Sequence, residues 1–528
     1  NYKTKKMEVF ISTSTTIMMW VLTVILAAIP WYLLNKLWFK PKRFEKLLIS
    51  QGLHGDAYKL SLFDNSKQNH MMKLQHEATY KSIGLFKEAA PSIFTPVHQT
   101  VHKYGNNSFL WEGTTPKVVI TDPDQIKQVF NMIEDFPKPK LYSLAKYLSN
   151  GIVQYEGEKW AKHRKIINPA FHIEKLKGML PAFTYSCEEM ISKWKELLSP
   201  DGTCEIDVWP FLHNLTRDVI SRTAFGSSYV EGTKIFELLK RQGFLLMTER
   251  YANIPLWWLL PTTSKRRMKE MDRDISDSLA GVIKKREESL KNGETAIDDL
   301  LGILLQSNHA ENQGHVNSKR FGMSAQEVMD ECKTFYNAGQ ETTSVLLVWT
   351  MVLLGRYPEW QARAREEVLQ VFGNQNPNFE GLNQLKIVTM ILYEVLRLYP
   401  PAVYFNRAIR KDLKLGNLFL SKGTQVSLPI LLIHQDHDIW GDDAKEFKPE
   451  RFADGIAKAT KGQVCYFPFG WGLRTCIGQN FSLLEAKIVI SLLLQNFSFE
   501  LSPSYVHVPT TVLTLQPKYG ATIILHKL

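Results

Sequence analysis

The sequence is poor in cysteine, and its cysteines show no paired spacing. Among 528 residues there are five of them, Cys187, Cys204, Cys332, Cys465 and Cys476, and no Cys-x-x-Cys occurs. An odd, scattered set does not fit the disulfide framework that stabilises small secreted proteins. The chain is therefore expected in a reducing compartment.

Linkers and nucleic-acid-binding motifs are also missing. No composition shift or Pro/Gly/Ser-rich stretch divides the chain, and a hydrophobic content of 44% is ample for one large core. The formal charge of +11 suggests an acidic partner or a membrane surface. Because the lysines and arginines are dispersed, nucleic acid is not an expected partner.

A long apolar run from Ile17 to Leu34 is long enough to cross a bilayer as a helix. Basic residues follow directly: Lys36, Lys40, Lys42 and Arg43. Positive charge stays on the cytoplasmic side, so this pattern predicts a single anchor with the body in the cytosol. The alternative is a cleaved signal peptide, but the run is long and lacks a clear small-x-small cleavage site. We interpret the six residues before Met7 as a translated leader.

The segment from Phe469 to Gly478 surrounds Cys476 with glycines. Glycine permits tight turns and a close approach of the backbone to a flat object. A helical pattern begins near Phe481, so Cys476 would precede a helix whose positive dipole end favours a thiolate. Such a thiolate suits haem iron, and Arg474 can meet a carboxylate such as a haem propionate. The alternative is a buried structural cysteine in a glycine-rich loop.

At every fixed position this segment matches Phe-x-x-Gly-x-Arg-x-Cys-x-Gly, and so it resembles the haem-binding signature of the cytochrome P-450 superfamily. The resemblance implies a mainly α fold with small β-sheets behind a single N-terminal transmembrane helix. It also implies heme b, with Cys476 as the axial iron ligand and Arg474 as a propionate partner. Phe469 and Gly478 would then border the cofactor. Residues 1–40 would form the leader and anchor, and residues 41–528 the haem-thiolate catalytic domain.

Trp160 and Arg164 lie one helical turn apart, with Pro169 closing the segment. Alone, they would be interpreted as a surface pair. Together with the cysteine loop, they resemble the Trp-x-x-x-Arg helix with which the family binds a propionate. Arg407 occupies the place where many relatives use a further base for a propionate.

A capping box at Ser324 to Glu327 predicts a long helix from there to about Arg356, after an exposed loop from about Asn308 to Gly322. Gly339 in its middle costs about 1 kcal/mol relative to Ala, so close approach to a cofactor would explain it. The Thr342 hydroxyl can bond back to the carbonyl of Ala338 and open a notch large enough for dioxygen. The alternative is a tolerated glycine in a core helix.

With the cysteine loop, the stretch Ala338 to Thr343 resembles the family's oxygen-activation segment. Glu341 and Thr342 would then deliver protons as an acid and an alcohol in line. Two rival functions are a haem-thiolate isomerase or dehydratase, and a non-catalytic haem sensor. Neither needs a proton relay, so the Glu341-Thr342 pair favours a monooxygenase.

Three later parts of the chain have structural interpretations. Glu394 and Arg397, followed by Arg451, resemble the family's buried ion network. The His434 to Asp438 stretch is interpreted as a solvated loop, since no third metal ligand has matching spacing. At the end of the chain, residues 512–515 and 521–525 are predicted to be two strands joined by a turn.

The source of electrons and the substrate are further expectations. No Gly-x-Gly-x-x-Gly follows a strand, so electrons must come from another protein, and the resemblance implies an NADPH-cytochrome P-450 reductase at the endoplasmic reticulum membrane. Several phrases look most like the plant branch that contains secologanin synthase, which oxidises isoprenoids. The expected reaction is oxidation of a hydrophobic plant terpenoid with O2, a triterpenoid or iridoid first and a diterpenoid next. Tyr142 and Asn406 are candidates for positioning its polar group.

Overall fold

The computed structural model describes residues 18–24, 27–60, 95–139, 145–148, 150–226, 229–248, 262–293, 299–312 and 322–528. Helices dominate these ranges, as predicted. A π-helical segment spans Asn35–Phe39, and short 3-10 helices span Asn168–Phe171, Pro449–Phe452 and Gly472–Arg474. The α-helices are Lys40–Ser50, Thr95–Tyr104, Pro123–Asn131, Ala145–Leu148, Gly151–Gln154, Gly157–Ile167, Ile173–Glu196, Trp209–Phe225, Tyr229–Thr248, Thr263–Lys291, Leu300–Asn312, Ala325–Arg356, Pro358–Phe372, Phe379–Leu382, Lys386–Leu398, Ile430–His434, His437–Trp440, Ile456–Ala459 and Gln479–Asn496.

The strands form small sheets at the edges of the helical body. They are β1 (His54–Gly55), β2 (Ser108–Glu112), β3 (Thr115–Val119), β4 (Thr203–Asp207), β5 (Phe405–Ala408), β6 (Leu413–Leu415), β7 (Leu418–Leu420), β8 (Gln425–Leu428), β9 (Phe497–Leu501), β10 (Pro509–Thr511), β11 (Leu515–Pro517) and β12 (Thr522–Lys527). The largest sheet has the order β1-β2-β3-β8-β5, and a second has the order β4-β12-β9. The pairs β10-β11 and β6-β7 complete the described sheets.

The helix Ala325–Arg356 crosses the body, as its capping box predicts. The Ser324 hydroxyl accepts a hydrogen bond from the Glu327 N–H at 3.3 Å, and the Glu327 carboxylate accepts one from the Ser324 N–H at 2.9 Å. From Thr343 to Leu354 every side chain is buried. A helix that is buried all round must be enclosed by other elements, and this one packs against Trp209–Phe225 and Gln479–Asn496. It forms the wall on which the candidate site is built.

The prediction of a loop from about Asn308 is wrong at its beginning. The preceding helix, Leu300–Asn312, runs through Asn308, whose side chain is buried and donates a hydrogen bond to the Met323 carbonyl oxygen at 2.8 Å. A polar side chain with a buried backbone partner stabilises the helix instead of ending it. Residues 313–321 of the predicted loop lie outside the described residues.

The predicted ion network is present and buried. Arg397 makes a bidentate pair with Glu394, with both N–O distances at 2.7 Å, and Arg451 Nε lies 3.4 Å from Glu394 Oε1. Arg397 also donates to the backbone carbonyl oxygens of His434 and Glu446 at 2.6 and 3.1 Å. The network therefore ties the helix Lys386–Leu398 to the segments that precede the cysteine loop.

Two minor predictions need correction. His434 is fully buried rather than solvated, and its Nε2 accepts a hydrogen bond from the Phe467 N–H at 3.1 Å. The last strands do not pair with each other: β11 pairs with β10, whereas β12 pairs with β4 and β9. Residues 512–514 form the turn between β10 and β11. The predicted pairing was wrong because strand pairing depends on distant segments, which the local alternation of side chains does not reveal.

One helix among the described residues, Met18–Ser50, is long and apolar enough to cross a membrane. Its C-terminal part packs on the body, where the Tyr58 hydroxyl donates to the Leu37 carbonyl oxygen at 2.5 Å and the Tyr58 N–H donates to Glu45 Oε1 at 2.7 Å. The helix thus continues across the predicted boundary at residue 40 without an intervening loop.

Candidate active site

A cavity of about 800 Å³ lies between the long helix Ala325–Arg356, the cysteine loop and the five-stranded sheet. Cys476 and the glycines Gly470 and Gly478 border it on one side, and Ala338, Gly339 and Thr342 border it from the long helix. Much of the remaining wall is apolar, formed by Phe171, Ile220, Phe335, Leu346, Leu396 and Phe481. The structure therefore brings the two main sequence motifs together around one space.

The cysteine loop is shaped by glycines in the left-handed region and by one backbone hydrogen bond. Gly470 and Gly472 have φ of +74° and +70°, and the Cys476 N–H donates to the Phe469 carbonyl oxygen at 2.8 Å. The helix Gln479–Asn496 begins three residues after Cys476. Burial raises the pKa of the Cys476 thiol, while the Gly478 N–H and the Arg164 charge oppose that rise. Burial is the larger effect, so the thiol form is favoured in the cofactor-free protein, and a thiolate here depends on the positive charge of a bound iron.

Trp160 and Arg164 lie on the helix Gly157–Ile167, beside the cysteine loop. Arg164 donates to the Thr475 carbonyl oxygen at 2.7 Å and to Asn168 Oδ1 at 2.8 Å. The Arg474 guanidinium lies 4.1 Å from the centre of the Trp160 ring. In this structure Arg164 holds the backbone next to Cys476, and Trp160 supports Arg474.

A cluster of positive charge lines the cavity beside the loop. Lys138, Arg407 and Arg474 all border it, and Glu156 pairs with Arg474. Burial, with the charges of Arg474 and Arg407, lowers the pKa of Lys138 to about 7, and burial also lowers the pKa of Arg407 to about 10. Three half-buried cations beside one carboxylate leave an excess of positive charge at the cavity wall, which further negative charge would stabilise. The cluster therefore fits a cofactor that carries carboxylates, such as the propionates of a haem.

Sequence reasoning missed Lys138. It lies in a loop between Pro137 and Pro139 that has no periodicity and no recognisable motif. Its side chain donates to the Val153 carbonyl oxygen, which turns it into the cavity. Only the tertiary fold brings it to Arg407 and Arg474, so no local signal could have found it.

The notch in the long helix has the predicted hydrogen bond. Thr342 Oγ1 donates to the Ala338 carbonyl oxygen at 2.8 Å, and both residues border the cavity. A Cβ added at Gly339 would lie 2.8 Å from Ile220 Cδ1. The glycine therefore also permits close packing against the helix Trp209–Phe225, which gives it a reason beyond any approach to a cofactor.

Glu341 follows the notch but is not among the residues that border the cavity. Its carboxylate accepts hydrogen bonds from Thr514 Oγ1 at 2.8 Å and from the Gln516 amide, and His213 Nε2 lies 3.9 Å away. Burial raises the pKa of the Glu341 carboxyl, although these hydrogen bonds oppose the rise. It is a shielded acid one residue from Thr342, held by the β10-β11 hairpin.

Asn406, a candidate for positioning a polar group of the substrate, borders the cavity, and so do its neighbours Ala402 and Phe405 and the long-helix residue Phe335. Tyr142 lies outside the described residues. Among the described residues, no group of three or more His, Cys, Asp or Glu residues is placed to hold a metal ion.

Comparisons with known proteins identify the family. The cytochrome P450 family model matches residues 82–523. The 11-oxo-β-amyrin 30-oxidases of Medicago truncatula and Glycyrrhiza uralensis are 79% and 76% identical to this chain, over 99% and 98% of it and 100% of each relative. The retinoic acid-bound cyanobacterial CYP120A1 has a similar fold, with a TM-score of 0.71 at 24% identity, over 84% of this chain and 96% of that chain.

The fold and these comparisons define an oxidoreductase of the monooxygenase class. The chain belongs to the cytochrome P450 family, which confirms the family prediction made from the Cys476 motif. Family and fold imply a haem with a cysteine thiolate on its iron. They also imply dioxygen, a hydrophobic substrate and a redox partner that delivers electrons.

Proposed function

We propose that this protein is a membrane-anchored haem-thiolate monooxygenase that oxidises a pentacyclic plant triterpenoid of the β-amyrin type. The observation that carries the proposal is the 79% identity, over the full length of the relative, to an 11-oxo-β-amyrin 30-oxidase. The largely apolar cavity supports it, since burying an apolar skeleton contributes about 25 cal/mol per Å². Of the terpenoid classes expected from the sequence, the relatives favour triterpenoids over iridoids and diterpenoids.

The cofactor of the proposal is heme b, which when bound activates dioxygen for insertion into a C–H bond. Cys476 is the proposed axial ligand, and its loop glycines allow the backbone to approach the macrocycle. Arg474, Arg407 and Lys138 are the proposed partners of the propionates, because they form the half-buried cation cluster of the cavity. Trp160 and Arg164 support this cluster and the loop from the neighbouring helix.

Two residues of the long helix are proposed to manage protons. The Thr342 hydroxyl borders the cavity and donates its one proton to the Ala338 carbonyl oxygen, so to pass a proton into the cavity it must turn away from that carbonyl and be reprotonated by another donor. The Glu341 carboxyl has a raised pKa, so it holds a proton more readily than an exposed acid does. For Glu341 to supply Thr342, its side chain must leave Thr514 and Gln516 during turnover.

The proposed cellular location follows from the anchor helix, and the proposed redox partner follows from the net charge of the chain. We infer that residues 1–40 serve as leader and anchor and that residues 41–528 form the catalytic domain in the cytosol, at the endoplasmic reticulum membrane. The formal charge of +11 suits an NADPH-cytochrome P-450 reductase with an acidic docking face. The anchor would hold both proteins on one membrane surface.

The test is co-expression of the chain with a plant reductase in microsomes. 11-Oxo-β-amyrin, an iridoid and a diterpenoid are supplied separately with NADPH, and products are identified by mass spectrometry. We expect an oxidised triterpenoid that requires both NADPH and reductase. Product formed without the reductase would instead support an isomerase or dehydratase, and haem binding without any product would support a sensor.

A further inference from the structure

The helix face that borders the cavity ends, towards its N-terminus, in a buried acid. Glu331 is followed at four, seven and eleven residues by Phe335, Ala338 and Thr342, which all border the cavity. Residues at these spacings share one face of an α-helix, which we call the cavity face of the long helix. Glu331 is not among the residues that border the cavity, and its side chain is fully buried. Proton delivery does not use it, so its burial needs another reason.

The partner of Glu331 is His163, on the helix Gly157–Ile167. His163 Nδ1 lies 2.7 Å from Glu331 Oε1, and neither side chain is exposed. The other ring nitrogen, Nε2, is buried without a hydrogen-bond partner in the described part of the chain, and it lies 3.6 Å from Glu327 Oε1. A carboxylate at each ring nitrogen suits a protonated ring, whose two N–H groups both donate. The two helices are therefore joined by a buried ion pair.

This pair connects the long helix to the cysteine loop. Arg164 directly follows His163 and donates to the Thr475 carbonyl oxygen at 2.7 Å, and Thr475 directly precedes Cys476. Breaking one side of a buried ion pair leaves an uncompensated charge, so the pair resists displacement of the helix that carries Arg164. A line of contacts thus runs from Glu331 to the residue beside the sulfur.

A second line of contacts runs in parallel, through Tyr155. The Tyr155 hydroxyl donates to Asp330 Oδ2 at 3.2 Å, while the Tyr155 carbonyl oxygen accepts a hydrogen bond from Arg474 at 2.8 Å. The Tyr155 ring also packs edge-on against the His163 ring, with 4.6 Å between the ring centres. Two neighbouring residues of the long helix are therefore tied to the two residues that precede Cys476.

We propose that His163 and Tyr155 are positioning residues that hold the cysteine loop at a fixed distance from the cavity face of the long helix. Neither residue borders the cavity, so both act through other residues. Cys476 would bind the iron from one side, and Thr342 would serve dioxygen from the other, so the gap between loop and helix must match the cofactor. The inference rests on the proposed ligation by Cys476. Groups that orient a metal ligand without touching the metal typically contribute about ten- to a hundredfold in affinity.

The test measures how firmly the full-length holoenzyme holds haem and keeps its thiolate ligand. The rate of haem transfer to excess apomyoglobin, and the fraction of CO-bound haem with the thiolate Soret band, are compared in the wild type, His163→Gln, Glu331→Gln and the double variant. Each single variant is expected to release haem about tenfold faster and to show a smaller thiolate fraction. The double variant should match the single variants instead of reaching about a hundredfold, because both substitutions remove one shared contact.

A control variant separates positioning from general stability. Asp299 pairs with Arg286 at 2.6 Å; both side chains are mostly buried, and neither borders the cavity. Asp299→Asn should therefore unfold at a lower temperature but keep the wild-type rate of haem transfer and the wild-type thiolate fraction. On the second line, Tyr155→Phe keeps the ring and loses the bond to Asp330, so it should release haem a few-fold faster.

The outcomes separate this inference from the proposed function. Effects in His163→Gln and Glu331→Gln no larger than in Asp299→Asn would overturn the positioning role, and so would fully additive losses in the double variant. Should a substitution in the buried pair prevent folding, Tyr155→Phe gives the same measurement, and wild-type behaviour of that variant would overturn the inference. A wild type that binds haem without a thiolate band would instead contradict the ligation on which the proposed function depends.

Discussion

The Arg164 guanidinium donates a hydrogen bond to the backbone carbonyl oxygen of Thr475, 2.7 Å away. Thr475 directly precedes Cys476, so a charged side chain from another helix fixes the backbone that presents the sulfur. Burial lowers the pKa of Arg164, whereas the neighbouring Cys476 opposes that change as a thiolate would. The relationship makes Arg164 a positioning residue for the proposed ligand.

Replacing Arg164 should therefore weaken the hold on the cofactor. A hydrogen bond from a charged group contributes about 1.5–3 kcal/mol, so Arg164→Met is expected to bind haem roughly ten- to a hundredfold less tightly. The measurement is the rate of haem transfer to an excess of apomyoglobin. Glu158→Gln, on the exposed side of the same helix, is the control and should behave like the wild type. Equal transfer rates for Arg164→Met and the control would contradict the positioning role.

Cys476 should determine the spectrum of the bound haem. In reduced microsomes treated with CO, the wild type is expected to show the Soret band of a thiolate-ligated haem, and Cys476→Ala should lose it because no other sulfur borders the cavity among the residues described. Cys204→Ala is the matched control, since Cys204 lies on β4, away from the cavity. Persistence of the thiolate band in Cys476→Ala would refute the proposed ligation.

Thr342 should couple NADPH consumption to product. Thr342→Ala removes the hydroxyl that faces the cavity, and product per NADPH is expected to fall roughly tenfold or more while hydrogen peroxide rises. Thr350→Ala is a close control, because Thr350 makes the same bond to the carbonyl oxygen four residues earlier, at 2.7 Å, but does not border the cavity. If both variants remained coupled, the proton role of Thr342 would be excluded.

The anchor predicts a specific topology. Protease added to sealed microsomes should digest the body and leave a short protected fragment that contains the apolar run, because Lys36, Lys40, Lys42 and Arg43 keep the following chain on the cytosolic side. Samples permeabilised with detergent provide the control for protease activity. A fully protected body would mean the opposite orientation.

The parts of the fold that the sequence predicted are those with local causes. The capping box at Ser324 and the periodicity after it set the long helix, and the glycines near Cys476 set its loop. Both depend on residues a few positions apart, so their patterns are visible in the chain. The same holds for the Glu394 and Arg397 pair, three residues apart on one helix.

The parts that it did not predict depend on distant segments meeting. Lys138 comes from a loop without a motif, and Gln425 borders the cavity only because β8 pairs with β3 and β5. The direction of the Glu341 side chain is decided by Thr514 and Gln516, more than 170 residues away. Tertiary contacts of this kind leave no local pattern, and they are what define the chemistry of the cavity.

Lys138 gives a prediction with a defined pH dependence. In the cofactor-free protein its folded-state pKa is about 7, against 10.5 in an unfolded chain, because burial and two neighbouring arginines disfavour the charge. Between these values the unfolded state binds more protons than the folded state, so this group makes stability rise with pH from about 7 to about 10.5. Below about pH 7 both states are protonated, and the cost of burying the charge is fully present.

Lys138→Met removes the cost of burying this charge. It should therefore stabilise the cofactor-free protein but weaken the binding of haem. At pH 6 the cofactor-free variant is expected to unfold at a higher temperature than the cofactor-free wild type, because its free energy of unfolding is larger by up to a few kcal/mol. This difference should shrink towards pH 9. With haem bound, the variant should lose haem faster, because a propionate would lose a charged partner. Lys127→Met, at an exposed position, is the control and should change neither quantity. A constant difference between Lys138→Met and the wild type from pH 6 to pH 9 would show that Lys138 is not a buried titrating group, and an unchanged rate of haem loss would remove it from the propionate cluster.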